Sequence, residues 1–123
     1  MLQGLFGNAS EVDAKGLQKD LEDILAEGEQ VVKAFRVVRD MFIFTDKRLI
    51  LIDKQGLTGR KSEYHSIPYR SISHFSVETT GTFDMDADLK IYVTSNPVPF
   101  ERAFKRGTDL VGVQKTLAQL LLK

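Results

Sequence analysis

The twelve residues from Phe42 to Asp53, Phe-Ile-Phe-Thr-Asp-Lys-Arg-Leu-Ile-Leu-Ile-Asp, limit the possible folds more than any other stretch. Phe42 to Phe44 and Leu49 to Ile52 are β-prone runs, and Thr45-Asp-Lys-Arg48 is the short polar connection of a hairpin. Successive strand side chains point to opposite faces, so Phe42 and Phe44 oppose Ile43, while Leu49 and Leu51 oppose Ile50 and Ile52. Both faces are apolar. A sheet with one face in water alternates apolar with polar residues, so this hairpin must be covered on both sides. Val31, Val32, Ala34, Phe35, Val37 and Val38 repeat the pattern in the preceding strand. The cover is either the chain's own N-terminal helix or a second copy of the protein. One helix has three strands to serve, and large uncovered apolar patches mark interfaces. The expectation is therefore a mixture of the two, with Phe42, Ile43, Phe44, Ile50 and Ile52 as the candidate oligomer interface.

A chain of 123 residues fits one domain with one core. With 17 Lys and Arg against 17 Asp and Glu, no overall field draws it to nucleic acid or to an anionic bilayer, and any such binding needs a local patch. There is no cysteine, which excludes disulfides and thiolate metal sites and suits a reducing compartment. The first ten residues lack the basic and apolar blocks of a secretory signal, and no run approaches the roughly 20 apolar residues of a membrane span. The expected location is cytoplasmic.

Val12, Leu17, Leu21, Ile24 and Leu25 recur at mostly helical spacing, with Asp13 as a cap and Gly28 as the end, which predicts an N-terminal amphipathic helix. Leu2, Leu5 and Phe6 add one apolar turn ahead of it, suited to docking on the domain, on a neighbour or on a bilayer. Residues 1–28 thus form a helical segment packing on the domain or a neighbour, and 29–123 the main β domain. From Gln30 to Phe104 the period is two, giving about seven strands near Gln30 to Val38, Met41 to Thr45, Arg48 to Asp53, Lys61 to Ile67, Ile72 to Glu78, Phe83 to Val93 and Val98 to Phe104. Short turns make this an antiparallel meander. Leu110, Val113, Leu117, Leu120 and Leu121 share one face of a second helix, after Thr108 or Asp109 as cap. The whole predicts a mainly β (α+β) sandwich or open barrel plugged by its C-terminal helix.

Evidence for chemistry is thin. His65 and His74 have no companions at ligand spacing, and no nucleophile elbow, phosphate-cradling loop or dinucleotide fingerprint occurs. Asp84, Asp86 and Asp88 line the outward face of one strand, about 7 Å apart, too straight to wrap a cation and suited to solvent or to basic groups. The cations Lys33, Arg36, Arg39, Lys47, Arg48, Arg60, Lys61, Arg102, Lys105 and Arg106 form no single stripe. They read as charges on strand ends, or as a phosphate-binding patch assembled from loops. No aromatic residues interleave with them as in RNA-binding motifs, so nucleic acid is not expected. Neither an enzyme nor a cofactor is expected.

Phe44-Thr-Asp-Lys-Arg-Leu-Ile-Leu-Ile-Asp53, followed by Ser66-Ile-Pro-Tyr-Arg-Ser-Ile-Ser-His-Phe-Ser-Val-Glu78, resembles the bacterial pleckstrin-homology-like (PH-like) domains of the stand-alone, single-domain type. In that family an F-T-[DN]-x-R-[LI] phrase opens a strand and an [IV]-P-Y-x-x-I phrase begins the strand after the first sheet. The resemblance implies a PH-like barrel of about seven antiparallel strands in two near-orthogonal sheets, capped by the C-terminal helix. It also implies a non-catalytic module forming a cyclic homo-oligomer, a pentamer in the favoured case, whose protomers meet edge to edge and hold a protein partner on a hydrophilic surface near the junction. Candidate residues for a polar or ligand surface are Arg39, Lys47, Arg48, Asp84, Asp86 and Asp88. The alternative is peripheral binding of anionic, phosphoinositide-like lipid, which eukaryotic relatives achieve with basic residues around the first hairpin loop. Here only Arg39 stands at that loop, Val38-Arg-Asp-Met41 is short, and Asp40 has the wrong sign.

Overall fold

The structure, a computed structural model, describes residues 11–37, 40–55, 61–79, 86–105 and 108–122. They form seven strands and two α-helices: α1 (Ala14–Asp20), β1 (Val31–Val37), β2 (Asp40–Thr45), β3 (Arg48–Gln55), β4 (Lys61–Pro68), β5 (Ile72–Thr79), β6 (Ala87–Val93), β7 (Phe100–Phe104) and α2 (Leu110–Leu121). A 3-10 turn, Tyr69–Ser71, joins β4 to β5. The strands make two antiparallel meanders, β1-β2-β3-β4 and β5-β6-β7.

The hairpin of β2 and β3 has a two-residue loop, Asp46-Lys47, and pairs Phe44 with Leu49, Ile43 with Ile50 and Phe42 with Leu51. Its two faces enter two different cores. Phe42, Phe44, Leu49 and Leu51 join Phe35, Leu89, Ile91, Phe104, Val113 and Leu117 in the main core between the sheets. Ile43, Ile50 and Ile52 join Ala34 and Leu21 in a second cluster, against which Val12, Leu17 and Leu25 pack from the N-terminal segment.

Successive inward residues of β7 meet different strands of the first sheet. Phe104 packs edge-on to Phe42 of β2, Arg102 reaches Asp40 of β2 and Asp53 of β3, and Phe100 meets His65 of β4. β7 therefore runs across the four-stranded sheet rather than along it. The two sheets do not close into one continuous barrel; they are stacked crosswise, and α2 fills the remaining side with Val113 and Leu117. Gly112 makes this docking possible. A Cβ at that position would collide with the capping Asp109 carboxylate and come within 2.8 Å of Phe35 Cε1.

Several expectations are corrected. Asp13 does cap α1, accepting from the Lys15 and Gly16 amides, but the helix stops at Asp20 rather than Gly28. Asp20, Glu22 and Asp23 place negative charge at the helix C-terminus, where the backbone dipole disfavours it. The chain continues in turns to Gly28, whose φ of 82° lets it reverse into β1. β7 begins at Phe100 rather than Val98, because Pro97 and Pro99 have no N–H for a ladder, and Val98 is 69% exposed. β6 is described from Ala87; residues 83–85, like Leu2, Leu5 and Phe6, lie outside the described residues. The neighbour invoked to cover the hairpin is not needed for that purpose. Phe42, Ile43, Phe44, Ile50 and Ile52 are all buried, because the short helix and the turns after it cover the second face of the sheet.

Candidate functional site

The best-organised polar constellation lies at the β2–β3 turn. Thr45 is fully buried, and its hydroxyl oxygen accepts from the Lys47 amide at 3.1 Å and the Arg48 amide at 2.9 Å, fixing the two-residue loop. The hydroxyl proton goes to Glu29 Oε2 at 2.6 Å, with the Arg48 carbonyl 3.0 Å away. Asp46 Oδ1 accepts from the Gln30 amide at 2.9 Å, and the Asp46 amide donates to the Gln30 carbonyl at 2.9 Å. The Thr-Asp-Lys-Arg phrase thus locks the turn to the segment leading into β1.

Glu29 is the buried anion of this cluster, 2% exposed. Arg48 meets it with two parallel bonds, Nε to Oε2 at 2.9 Å and Nη2 to Oε1 at 3.1 Å, the planar fork that makes guanidinium–carboxylate pairs strong. Arg48 also donates to the Ile24 carbonyl and to Ser66 Oγ, both at 2.8 Å. One side chain therefore ties the N-terminal turns, β3 and β4 together. Burial alone would raise the Glu29 pKa, but hydrogen bonds from Arg48, Thr45 and the Ala26 amide outweigh it and lower the pKa from 4.5 to about 2.

The Ile67-Pro-Tyr69 phrase completes the cluster. Ile67 is in the main core, Pro68 precedes the 3-10 turn, and the Tyr69 hydroxyl donates to the Thr45 carbonyl at 2.5 Å. Burial, with the Asp46 and Glu29 carboxylates, pushes the Tyr69 phenol above its ordinary range despite that bond, so it stays a proton donor. The two phrases meet at one threonine through residues 24 positions apart, Thr45 and Tyr69. Tyr69→Phe, which leaves the Thr45 carbonyl without its donor, is expected to cost about 1–2 kcal/mol in urea unfolding.

Around this cluster is an open cleft of about 450 Å³, lined by Ile24, Ala26, Pro68 and the cations Lys47 and Arg70, with buried Glu29 and half-buried Arg48 at its base. Neither Lys47 nor Arg70 has a side-chain partner among the described residues.

The other predicted site residues are scattered. Arg39 and Asp84 lie outside the described residues. Asp86 is exposed and within 3.5 Å of Lys105, while Asp88 is half-buried opposite Glu78 on β5. Lys33 pairs with Glu11, and Arg102 bridges Asp40 and Asp53. His74 stacks on Tyr92 with centroids 4.2 Å apart, and its Nδ1 is 3.0 Å from Ser73 Oγ. Of the four candidates for a polar surface that lie among the described residues, Lys47 and Arg48 line one cleft, and Asp86 and Asp88 lie apart from it. Arg48 serves the fold, four of its five N–H donors being engaged by Glu29, Ser66 and the Ile24 carbonyl. The sequence does not single out Glu29, Tyr69 or Arg70 as site residues. The available signal is a Glu immediately after the turn glycine Gly28 and just ahead of the first β-prone run.

Among the described residues no group of three or more His, Asp or Glu converges as metal ligands, and no helix is long and apolar enough to cross a membrane.

The comparisons agree with this architecture. A solved pleckstrin homology domain from Shewanella amazonensis SB2B is 56% identical over 99% of this chain and 98% of its own, with a TM-score of 0.88. A DUF1696 family protein with a pleckstrin-homology domain from Shewanella loihica PV-4 is 54% identical over 91% of this chain and 96% of its own, with a TM-score of 0.77. The uncharacterized protein YjqA of Bacillus subtilis (strain 168) is 50% identical over 98% of each chain. With residues 1–121 matched by the profile described as the Bacterial PH domain, and with both signature phrases converging on Thr45, the chain belongs to the bacterial PH domain family.

Proposed function

We propose that this PH-like domain is a non-catalytic module that self-associates into a closed ring and presents a polar surface to a protein partner. The observation that carries the self-association reading is the outer edge of β4. This eight-residue strand is paired through Arg48–Pro68 to Gln55–Lys61 on its β3 side, and among the described residues no strand pairs its other side. Tyr64, midway along it, is 53% exposed. A bare edge of this length is a template for another strand, and head-to-tail pairing of identical protomers removes every such edge when the rotation closes. The apolar faces of the β2–β3 hairpin play no part in this contact, since the chain already covers them. The non-catalytic reading is supported by a polar cluster whose members saturate one another, leaving no activated nucleophile or poised acid–base pair.

Light scattering is expected to give a multiple of the 13.9 kDa protomer at micromolar concentration. Tyr64→Lys is expected to shift that mass toward the protomer without lowering the thermal midpoint, because a charged edge resists pairing. A clean monomer for the unaltered protein would overturn the ring.

A further inference from the structure

We infer that the cleft at the β2–β3 turn binds an acidic segment of a protein partner, in which a carboxylate side chain lies next to an apolar one. This rests on the protein-binding reading above but not on the ring. Lys47 comes from the β2–β3 loop and Arg70 from the 3-10 turn after β4; the Tyr69–Thr45 hydrogen bond holds those two turns together. Both cations are exposed and unpartnered among the described residues, whereas Arg48 between them is neutralised by Glu29. The cleft therefore has two free positive charges above an internally balanced base. The one carboxylate adjacent in sequence, Asp46, already accepts from the Gln30 amide.

The cleft is more than a pair of charges. Ile24, 45% exposed, and the side chains of Ala26 and Pro68 give it an apolar wall beside the cations. A bare phosphate would use the charges and leave that wall in water, while a peptide with Glu or Asp beside Leu or Phe would satisfy both. The volume suits a few side chains of an extended segment, and the cleft's open shape admits a chain passing through it. The hydrogen bonds around Thr45 hold the two turns in place before binding, so little ordering cost falls on the protein. The site lies at the Thr45 end of β2, the opposite end from Asp40.

The test uses the full chain, 15N-labelled, titrated with an octapeptide alternating Glu and Leu and with its Lys/Leu counterpart. The acidic peptide is expected to shift the amides of Asp46, Lys47, Arg48 and Arg70, and the basic peptide to leave them unmoved. The double variant Lys47→Glu/Arg70→Glu is expected to weaken binding at least about tenfold, as loss of one charge-assisted contact would do. Arg70→Ser alone, an exposed and milder change, should also weaken binding and serves if the double variant is unstable. The inference is overturned if the acidic peptide causes no shifts there, or if the variants bind it as well as the unaltered protein. It is equally overturned if those amides respond to phosphatidylserine vesicles and not to the peptide, which would make the cleft a lipid site. Light scattering on the same samples separates the two readings: a ring without peptide binding removes only this inference, and peptide binding by a monomer removes only the ring.

Discussion

Glu29→Ala is expected to lower the unfolding free energy by about 3 kcal/mol at neutral pH, the low end for breaking a buried ion pair, because Arg48 keeps some contact with water. The loss has several sources acting together. Arg48 would retain its bonds to the Ile24 carbonyl and Ser66 but lose both bonds of the fork, and the Thr45 hydroxyl would lose its 2.6 Å acceptor. The Ala26 amide would lose its acceptor as well. In a domain whose total stability is about 5–15 kcal/mol, the variant should melt roughly 10 °C lower.

The same residue sets an acid limit. Its carboxyl titrates near 2 when folded against 4.5 as the ordinary value, so the folded state binds the proton less readily than the unfolded one. The stabilisation is fully present above about pH 4.5 and is lost as the pH falls toward about 2. Converted by linkage, the shift corresponds to about 3 kcal/mol, of the same order as the expected mutational loss. Glu29→Gln removes the ionisation while keeping the shape. Chemical denaturation of the two proteins from pH 7 downward should show a gap that narrows steadily through that window. A gap that stays constant would mean that Glu29 acts through packing and not through its charge.

Phe42→Ala is expected to cost about 3–5 kcal/mol, the range for removing a fully buried aromatic ring. Phe42 lies on β2 directly under the crossing strand β7, with its ring centroid 5.7 Å from that of Phe104 and the planes at 69°. Its loss would leave a cavity at the point where the two sheets touch. Ile43→Val, one position along and on the other face, should cost only about 0.5–1.5 kcal/mol, since it removes a single methyl from the cluster under the N-terminal segment. Urea unfolding followed by circular dichroism distinguishes them. If Phe42→Ala proved as mild as Ile43→Val, the crosswise contact between β2 and β7 would not be the centre of the core.

The strands were legible because alternation is a local property. The pairings of Phe42 with Leu51 and Ile43 with Ile50 follow from a two-residue loop once Thr45 and Arg48 are placed at its ends. The Pro97–Pro99 stretch delays β7 because β6 lies beside it, since a missing N–H matters only where a ladder would need it. The helix from Asp13 was visible through its cap and its leucines. Its early end was legible only in part: the acidic Asp20, Glu22 and Asp23 disfavour continuation, but the turns from Leu21 to Gly28 are held in part by Arg48, a residue on β3.

The hairpin from Phe42 to Asp53 by itself determined that both faces of the first sheet had to be covered, because alternating apolar side chains leave no face for water. What covers the second face was a tertiary question, and the answer is the chain's own Val12, Leu17, Leu21 and Leu25 rather than the body of a neighbour. Sequence likewise contained the Thr-Asp-Lys-Arg and Pro-Tyr-Arg phrases, but their joint meaning appears only when Tyr69 reaches the Thr45 carbonyl and Glu29 closes on Arg48. Periodicity follows from neighbouring residues along one strand, whereas a buried ion pair and the cleft above it depend on residues that only the folded chain brings within hydrogen-bonding distance.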